Sequence, residues 1–265
     1  MTDPTEAAAA PPRPRAAPVL GIPLALDGYE GVLDWIDAAI AAGSREYVCV
    51  AATHTVMASQ EDPELRAAVL GSSLTVPDGQ PLVWALRAYG HPLGDRVYGP
   101  ELMERACARG AQSGARMFLY GGRDEQALAD LTAQLQTRHP GLVIAGSYQP
   151  VYRPLSAGEQ REVAAAINAA RPDIVWVGLG VPRQEKWMAT MRGQLDAPLL
   201  VGVGAAFDFL SGTVAQAPRW IQRAGLEWLF RLTREPRRLW RRYLRYNPRF
   251  VVGFAREWWG MKRGR

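Results

Sequence analysis

The chain predicts an α/β fold, a Rossmann-like parallel sheet with helices on both faces, followed by a helical, basic C-terminal appendage. Three observations carry that expectation. Short apolar runs alternate with amphipathic stretches of helical period, several runs stop at turns containing Gly or Pro, and the charge is unevenly distributed along the chain. In order, EYVCVAATHTVMA reads as a buried strand leading into a helix, SSLTVPDG as a strand ending in a turn, and PLVWALRAYG as a helix stopped by Gly90. PELMERACARGAQSG follows as helix, ARMFLYGG as strand, DEQALADLTAQLQTRHPG as helix and LVIAGSYQP as strand. SAGEQREVAAAINAARP is a helix with Ser156 as N-cap, DIVWVGLG a strand, VPRQEKWMATMRGQL a helix and PLLVGVGAAFDF a strand. Apolar strands separated by helices belong in a parallel sheet, and right-handed crossovers bring their C-terminal loops to one edge.

The 265 residues, 48% hydrophobic and 22% charged, suffice for a full core in one large domain or two closely joined halves. Cys49 and Cys107, the two cysteines, lie in apolar surroundings and are expected as core thiols in a reducing compartment, with no disulfide framework and no zinc site. Residues 1–18, MTDPTEAAAAPPRPRAAP, lack an apolar core of the signal-peptide kind and are expected as a disordered Ala/Pro tail. No uninterrupted apolar window of about 18 residues is present, so the expectation is a cytosolic or peripheral protein.

From Arg219 onward the chain carries 13 Arg and one Lys against Glu227, Glu235 and Glu257, a net +11. The whole chain is only +5, so the rest is −6. Five Trp residues are interleaved with these charges, at 220, 228, 240, 258 and 259. Arginine with aromatics fits a nucleic acid, through phosphate contacts and base stacking, and equally fits an anionic membrane, where Trp and Tyr sit at headgroup depth. An ordinary solvated helical face explains so many tryptophans poorly.

Functional groups are expected at the strand ends: THT at 53–55, PDG at 77–79, YGG at 120–122, GSY at 146–148, GLGVPRQEKW at 178–187 and GVGAAFDFLSG at 202–212. Thr53, His54, Thr55, Tyr148 and Asp208 are candidates for substrate contact on that ground. Gly121 and Gly122, ahead of a helix start, allow close approach of a nucleotide or pyrophosphate. No G-x-G-x-x-G follows a strand, no G-x-x-x-x-G-K-[ST] is present, and no Asp pair stands at D-x-D spacing, which argues against a dehydrogenase, a P-loop enzyme and a metal-held nucleotide sugar. No metal ligand set and no cofactor are expected. Asp78, in the PDG turn, reads either as the N-cap of the helix beginning near Gln80 or as a functional carboxylate.

The ordered blocks CVAATHTVMASQEDPELRAAV, VPDGQPLVWAL, RVYGPELM, FLYGG, PDIVWVGLGVPRQEKW and GVGAAFDFLSGTVAQAPRWIQRAGLEWLFRLTREPRR resemble the WecG/TagA/CpsF glycosyltransferases, glycosyltransferase family 26, from about residue 20 to 250. The resemblance implies an inverting, metal-independent transfer from a UDP-sugar, of the N-acetylmannosamine, uronic acid or glucose type, to an undecaprenyl-diphosphate-linked saccharide in surface polysaccharide synthesis. It places the protein peripherally on the cytoplasmic face of a bacterial plasma membrane, with a C-terminal appendage that completes the site there.

Carried over residue by residue, the resemblance makes Asp78 the general base, Arg96 the cation near the diphosphate, and Gln184 a substrate-binding amide. It makes Arg231, Arg238 and Arg241 contacts of the lipid diphosphate. At helical spacing, 234, 238, 241 and 245 would share one face. One position departs: the threonine that many relatives carry after the first strand falls on Val50, leaving the polar duty to Thr53, His54 or Thr55. The expected domains are the tail at 1–18, a core at 19–218 and the appendage at 219–265, with a possible homo-oligomer. Two other classes remain open, a nucleotide-sugar enzyme with a soluble substrate and a nucleic-acid-binding protein using the basic tail.

Overall fold

The computed structural model describes residues 11–263. An antiparallel hairpin, β1 (Ala16–Val19) and β2 (Ile22–Ala25), precedes α1 (Tyr29–Ala41). Then come β3 (Glu46–Ala51), α2 (Thr53–Ala58), α3 (Pro63–Leu70), β4 (Leu74–Pro77), α4 (Gln80–Ala88) and α5 (Gly99–Ser113). The second half runs β5 (Arg116–Gly121), α6 (Glu125–Arg138), β6 (Val143–Tyr148), α7 (Ala157–Ala170), β7 (Ile174–Gly178), α8 (Arg183–Met191), β8 (Leu199–Gly202) and α9 (Ala206–Leu210). Three helices close the chain: α10 (Arg219–Arg223), α11 (Glu227–Arg234) and α12 (Pro236–Arg263).

Six strands form one parallel sheet in the order β4-β3-β8-β7-β5-β6, as the alternation of strand and helix predicts. The inner strands are buried from both sides: Val48, Trp176, Leu199 and Val201 face one helical layer, Cys49, Val175, Val177 and Leu200 the other, while the edge strand β6 is only partly covered. Cys49 and Cys107 are both buried free thiols. Ser156 caps α7 as predicted; its Oγ accepts from the Glu159 amide at 3.3 Å and Glu159 Oε2 accepts from the Ser156 amide at 2.8 Å.

The hairpin has no counterpart among the elements that the sequence pattern predicts. Residues 1–10 lie outside the described residues, but Ala16–Val19 pairs with Ile22–Ala25, so the tail expected through residue 18 gives way to folded chain earlier. Alternate hairpin residues Ala17, Val19, Ile22 and Leu24 are fully covered, in a cluster that includes Leu82, Leu86 and Phe250 of α12. Leu20, at the tip with φ +50, donates its amide to Glu257 Oε2 at 2.9 Å, and Tyr89 donates its hydroxyl to the same oxygen at 2.6 Å. The C-terminal half of α12 is thus stapled to the first hairpin and to the end of α4. No helix among the described residues is long and apolar enough to cross a membrane.

Candidate functional site

The C-terminal ends of β3, β4, β5, β7 and β8 open into one cavity of about 1330 Å³, roofed by α11, α12 from Arg238 to Phe254 and the 150–155 loop. A cavity at the carboxyl edge of an open parallel sheet is where such folds bind ligands.

Asp78 follows the last residue of β4, and its amide donates to Ala51 O at 2.9 Å, which fixes the turn against β3. It does not cap α4, whose N-cap is Gly79 with no side-chain bond. Its Oδ1 accepts instead from the Gly99 amide at 2.8 Å, the first residue of α5. The cap expectation at Gln80 is therefore corrected: β4 turns away from α4 and points the carboxylate at a helix that begins later in the chain. Burial pushes the Asp78 carboxyl up to about 6; Arg96 and, less strongly, the Gly99 amide and Arg231 oppose the rise, and Glu227 adds to it.

Arg96 also lines the cavity, and its guanidinium is held mainly through Nη2. It donates to Glu227 Oε2 at 2.7 Å and Gln222 Oε1 at 2.9 Å, reaches Asp78 O at 3.4 Å, and lies 4.2 Å over the Tyr98 ring. Both carboxylate and guanidinium are nearly covered, with side chains 12% and 10% exposed.

Thr53, His54 and Thr55 come from the first turn of α2, just after β3. Thr55 is 1% exposed and its Oγ1 accepts from the Ala52 amide at 3.3 Å, so it secures the helix start. His54 Nε2 has no hydrogen-bond partner among the described residues. Burial, with Arg242 and Arg231 nearby, holds its imidazole down to about 3, so it stays neutral at physiological pH. Val50 lines the same wall.

Gly121 and Gly122 separate in role. A Cβ on Gly121 would stand 2.7 Å from the Gly178 backbone, so this glycine permits β5 and β7 to close on each other and does not line the cavity. Gly122 does line it. The start of α6 is not open to an anion, because Asp124 Oδ1 already accepts from the Ala127 amide at 2.8 Å. Tyr148 stands outside the cavity wall: its ring stacks at 5.8 Å on Tyr120, which stacks at 4.0 Å on Trp187, and the latter two line the cavity.

Gln184 is 1% exposed; its Oε1 accepts from the Gly180 amide at 3.2 Å and its Nε2 donates to Glu185 Oε1 at 2.9 Å. Glu185 is fully buried, and burial pushes its carboxyl up to about 7. Asp208, in the first turn of α9, lies 3.8 Å from Arg123 Nη2 across the cavity.

On the roof, Arg231 and Arg238 line the cavity while Arg241 does not. Arg241 is exposed and packs over Trp240 at 5.3 Å. The expected stripe 234, 238, 241, 245 fails for two reasons. The helix breaks at Glu235 between α11 and α12, and α12 takes its phase from buried Leu239 and Phe250, which turns Arg242 inward and Arg241 outward. Arg245 instead pairs with Glu61 at 2.6 Å. The Nε atoms of Arg231 and Arg242 are buried without a partner among the described residues.

Sequence reasoning thus missed Arg242, Glu227 and the mouth pair Tyr152 and Arg183, whose guanidinium lies 3.9 Å over the Tyr152 ring. The spacing of Leu239, Tyr246 and Phe250 holds the signal for Arg242; nothing local marks Glu227. Among the described residues no group of three or more His, Cys, Asp or Glu is placed to hold a metal ion.

A sequence profile of the Glycosyl transferase WecG/TagA/CpsF family matches residues 17–264, from the first hairpin through α12. The chain belongs to the WecG/TagA/CpsF family. It is also similar to the N-acetylglucosaminyldiphosphoundecaprenol N-acetyl-beta-D-mannosaminyltransferase of Bacillus spizizenii, at 33% identity over 199 residues, 75% of this chain and 74% of that one. In this member of the WecG/TagA/CpsF family the matched span includes both the cavity floor and its helical roof.

Proposed function

We propose that this glycosyltransferase moves a sugar of the N-acetylmannosamine type from a UDP-sugar to a polyprenyl-diphosphate-linked N-acetylglucosamine acceptor, inverting the anomeric centre without a metal. The observation that carries the reading is a carboxylate pushed up to about 6, at the sheet edge, below a roof that turns Arg231, Arg238 and Arg242 into the same cavity. The acceptor and donor sugar follow the name of the Bacillus spizizenii relative.

In this mechanism the free Asp78 Oδ2 takes the proton of the acceptor hydroxyl as its oxygen attacks the anomeric carbon. The bond from that carbon to the β-phosphate oxygen breaks with its electron pair leaving on UDP. Inversion follows from attack opposite the leaving group, and the carboxyl near 6 suits a base working at neutral pH. The guanidinium groups of Arg231, Arg238 and Arg242 offset the charge gathering on the diphosphate, the task a metal performs in other transferases. Arg96 acts at one remove, since Glu227 and Gln222 hold it. Neutral His54 offers a hydrogen bond to a sugar hydroxyl, and Thr53, Gly122, Gln184 and Asp208 border the donor path.

The outer face of α10–α12 exposes Trp220, Leu229, Trp240, Leu244 and Trp259 among arginines, which supports docking on the inner, anionic face of a bacterial plasma membrane. Incubation with a panel of UDP-sugars, with and without a short-chain lipid-diphosphate N-acetylglucosamine, tests the whole reading by mass spectrometry. Product is expected only when UDP-N-acetylmannosamine and the acceptor are both present. UDP-sugar consumption at the same rate without acceptor would replace it with an enzyme of soluble nucleotide sugars.

A further inference from the structure

We infer that Glu227, on the appendage helix α11, raises the proton affinity of Asp78 above what burial beside Arg96 alone would give, by taking up the charge of Arg96 across the junction between core and roof. This assignment rests on the reading of Asp78 as the base. Glu227 lies 131 positions from Arg96 in sequence, yet its Oε2 accepts from Arg96 Nη2 at 2.7 Å in a covered setting. The same guanidinium reaches the Asp78 carbonyl at 3.4 Å and is clamped between the Tyr98 ring and Gln222 Oε1. A guanidinium so near an unpaired carboxylate favours the ionised acid; one already neutralised by a second carboxylate does so far less.

The other groups facing Asp78 are accounted for. Gly99, at the start of α5, gives its amide to Oδ1, and Arg231 of α11 also favours the ionised form. Tyr29 of α1 and Tyr98 are both held protonated by burial, with Asp78 adding to the effect, and His54 of α2 is neutral. Among these groups Glu227 is the one carboxylate; it and Arg231 both come from the roof helix α11, and of the two Glu227 acts on Asp78 more strongly. A core without α11 in place would therefore hold Asp78 as a more acidic, weaker base, so that full basicity arises only when the roof is seated.

Glu227→Gln keeps the shape and the hydrogen bond to Arg96 and removes the charge. Its acid limb in kcat/KM is expected to move down by roughly one pH unit, with about three-fold loss on the plateau as the base weakens. Arg96→Gln, which removes the opposite charge, is expected to move the limb up, and Glu227→Asp to return it toward wild type. A purely structural contact would lower activity in both variants without moving the limbs in opposite directions. Carbon-13 titration of the Asp78 carboxyl, assigned by difference from Asp78→Asn, reads the same shift without turnover, and thermal melting confirms that each variant is folded. An unmoved titration in folded Glu227→Gln overturns the assignment. Near-normal turnover by Asp78→Asn overturns the base reading itself, whatever the titration shows.

Discussion

Asp78 and Gly99 stand 21 residues apart, and a 2.8 Å bond from the Gly99 amide to Asp78 Oδ1 joins the turn after β4 to the first residue of α5. One oxygen of the carboxylate accepts from the Gly99 amide, and the proposed proton transfer falls to the other. That division separates the two functions experimentally, because an amide oxygen accepts from Gly99 as a carboxylate does but takes no proton from a hydroxyl.

Asp78→Asn is therefore expected to fold, to bind UDP within a few-fold of wild type, and to lose roughly 10²-fold or more in kcat. Single-turnover assays and calorimetric UDP titration check this. Asp78→Ala, which also strips the Gly99 amide of its partner, is expected to melt lower than Asp78→Asn. Turnover near wild type in the Asn variant would leave Asp78 with its architectural role alone.

Arg242 and Arg241 are neighbours with opposite exposures, which makes them a paired test of the roof. Arg242→Ala is expected to weaken UDP affinity by about 10- to 100-fold, the scale of a lost charge-assisted hydrogen bond. Arg241→Ala is expected to change it less than about two-fold, because its side chain leans on Trp240 outside the cavity. The reverse ranking would restore the helical face read from spacing alone.

The sheet was legible because its strands are short apolar runs, buried on both faces in all but the edge strand β6, a pattern that composition announces locally. The first hairpin was not, since Ala16–Val19 is an Ala/Pro-rich segment whose partners for burial lie far along the chain, in α4 and at Phe250 of α12. The helices Tyr29–Ala41 and Pro63–Leu70 also went unassigned, although the latter has an N-cap at Asp62 with Pro63 after it. At the site, the strand-end loops placed Asp78, Thr53, His54, Gly122, Gln184 and Asp208 around one cavity. What local sequence could not disclose was pairing at long range: that Arg96 would meet Glu227, that Gly121 would serve strand closure, and that a break at Glu235 would reset the phase of the arginines.

Glu185 gives the stability a pH dependence of known sign. Its carboxyl ionises near 4.5 when unfolded and near 7 when folded, so the folded state holds the proton over that interval and the unfolded state does not. The contribution is fully present below pH 4.5, is lost as the pH rises through 7, and is flat above. Asp78, pushed up to about 6, adds a loss of the same sign. His54, held down to about 3, works in the opposite sense between pH 5 and 6.5, so the melting temperature is expected to be roughly 4–8 °C lower at pH 8.5 than at pH 5, with Glu185→Gln removing most of the drop. Equal slopes in wild type and variant would mean that Glu185 is ionised in the fold at low pH.

Membrane docking by the roof is testable without disturbing the cavity, because its outward residues are not those that hold it in place. Leu239 and Phe250 are buried, and Glu257 ties α12 to Leu20 and Tyr89, so truncation before Arg219 would strip core contacts and is expected to lower stability. Point changes on the other face avoid that confusion. Trp240 is 44% and Leu244 68% exposed, and neither makes a side-chain hydrogen bond among the described residues. Trp240→Ser with Leu244→Ser should leave the melting temperature and UDP affinity near wild type while flotation with anionic vesicles falls several-fold. Raising the salt should weaken the remaining binding further, since each arginine near an anionic surface contributes about 1 kcal/mol and is screened within a Debye length. Transfer to a water-soluble, short-chain acceptor should be unaffected, and transfer to a long-chain acceptor in vesicles should fall with flotation. Undiminished flotation in the double variant would place the lipid-facing surface elsewhere on the molecule.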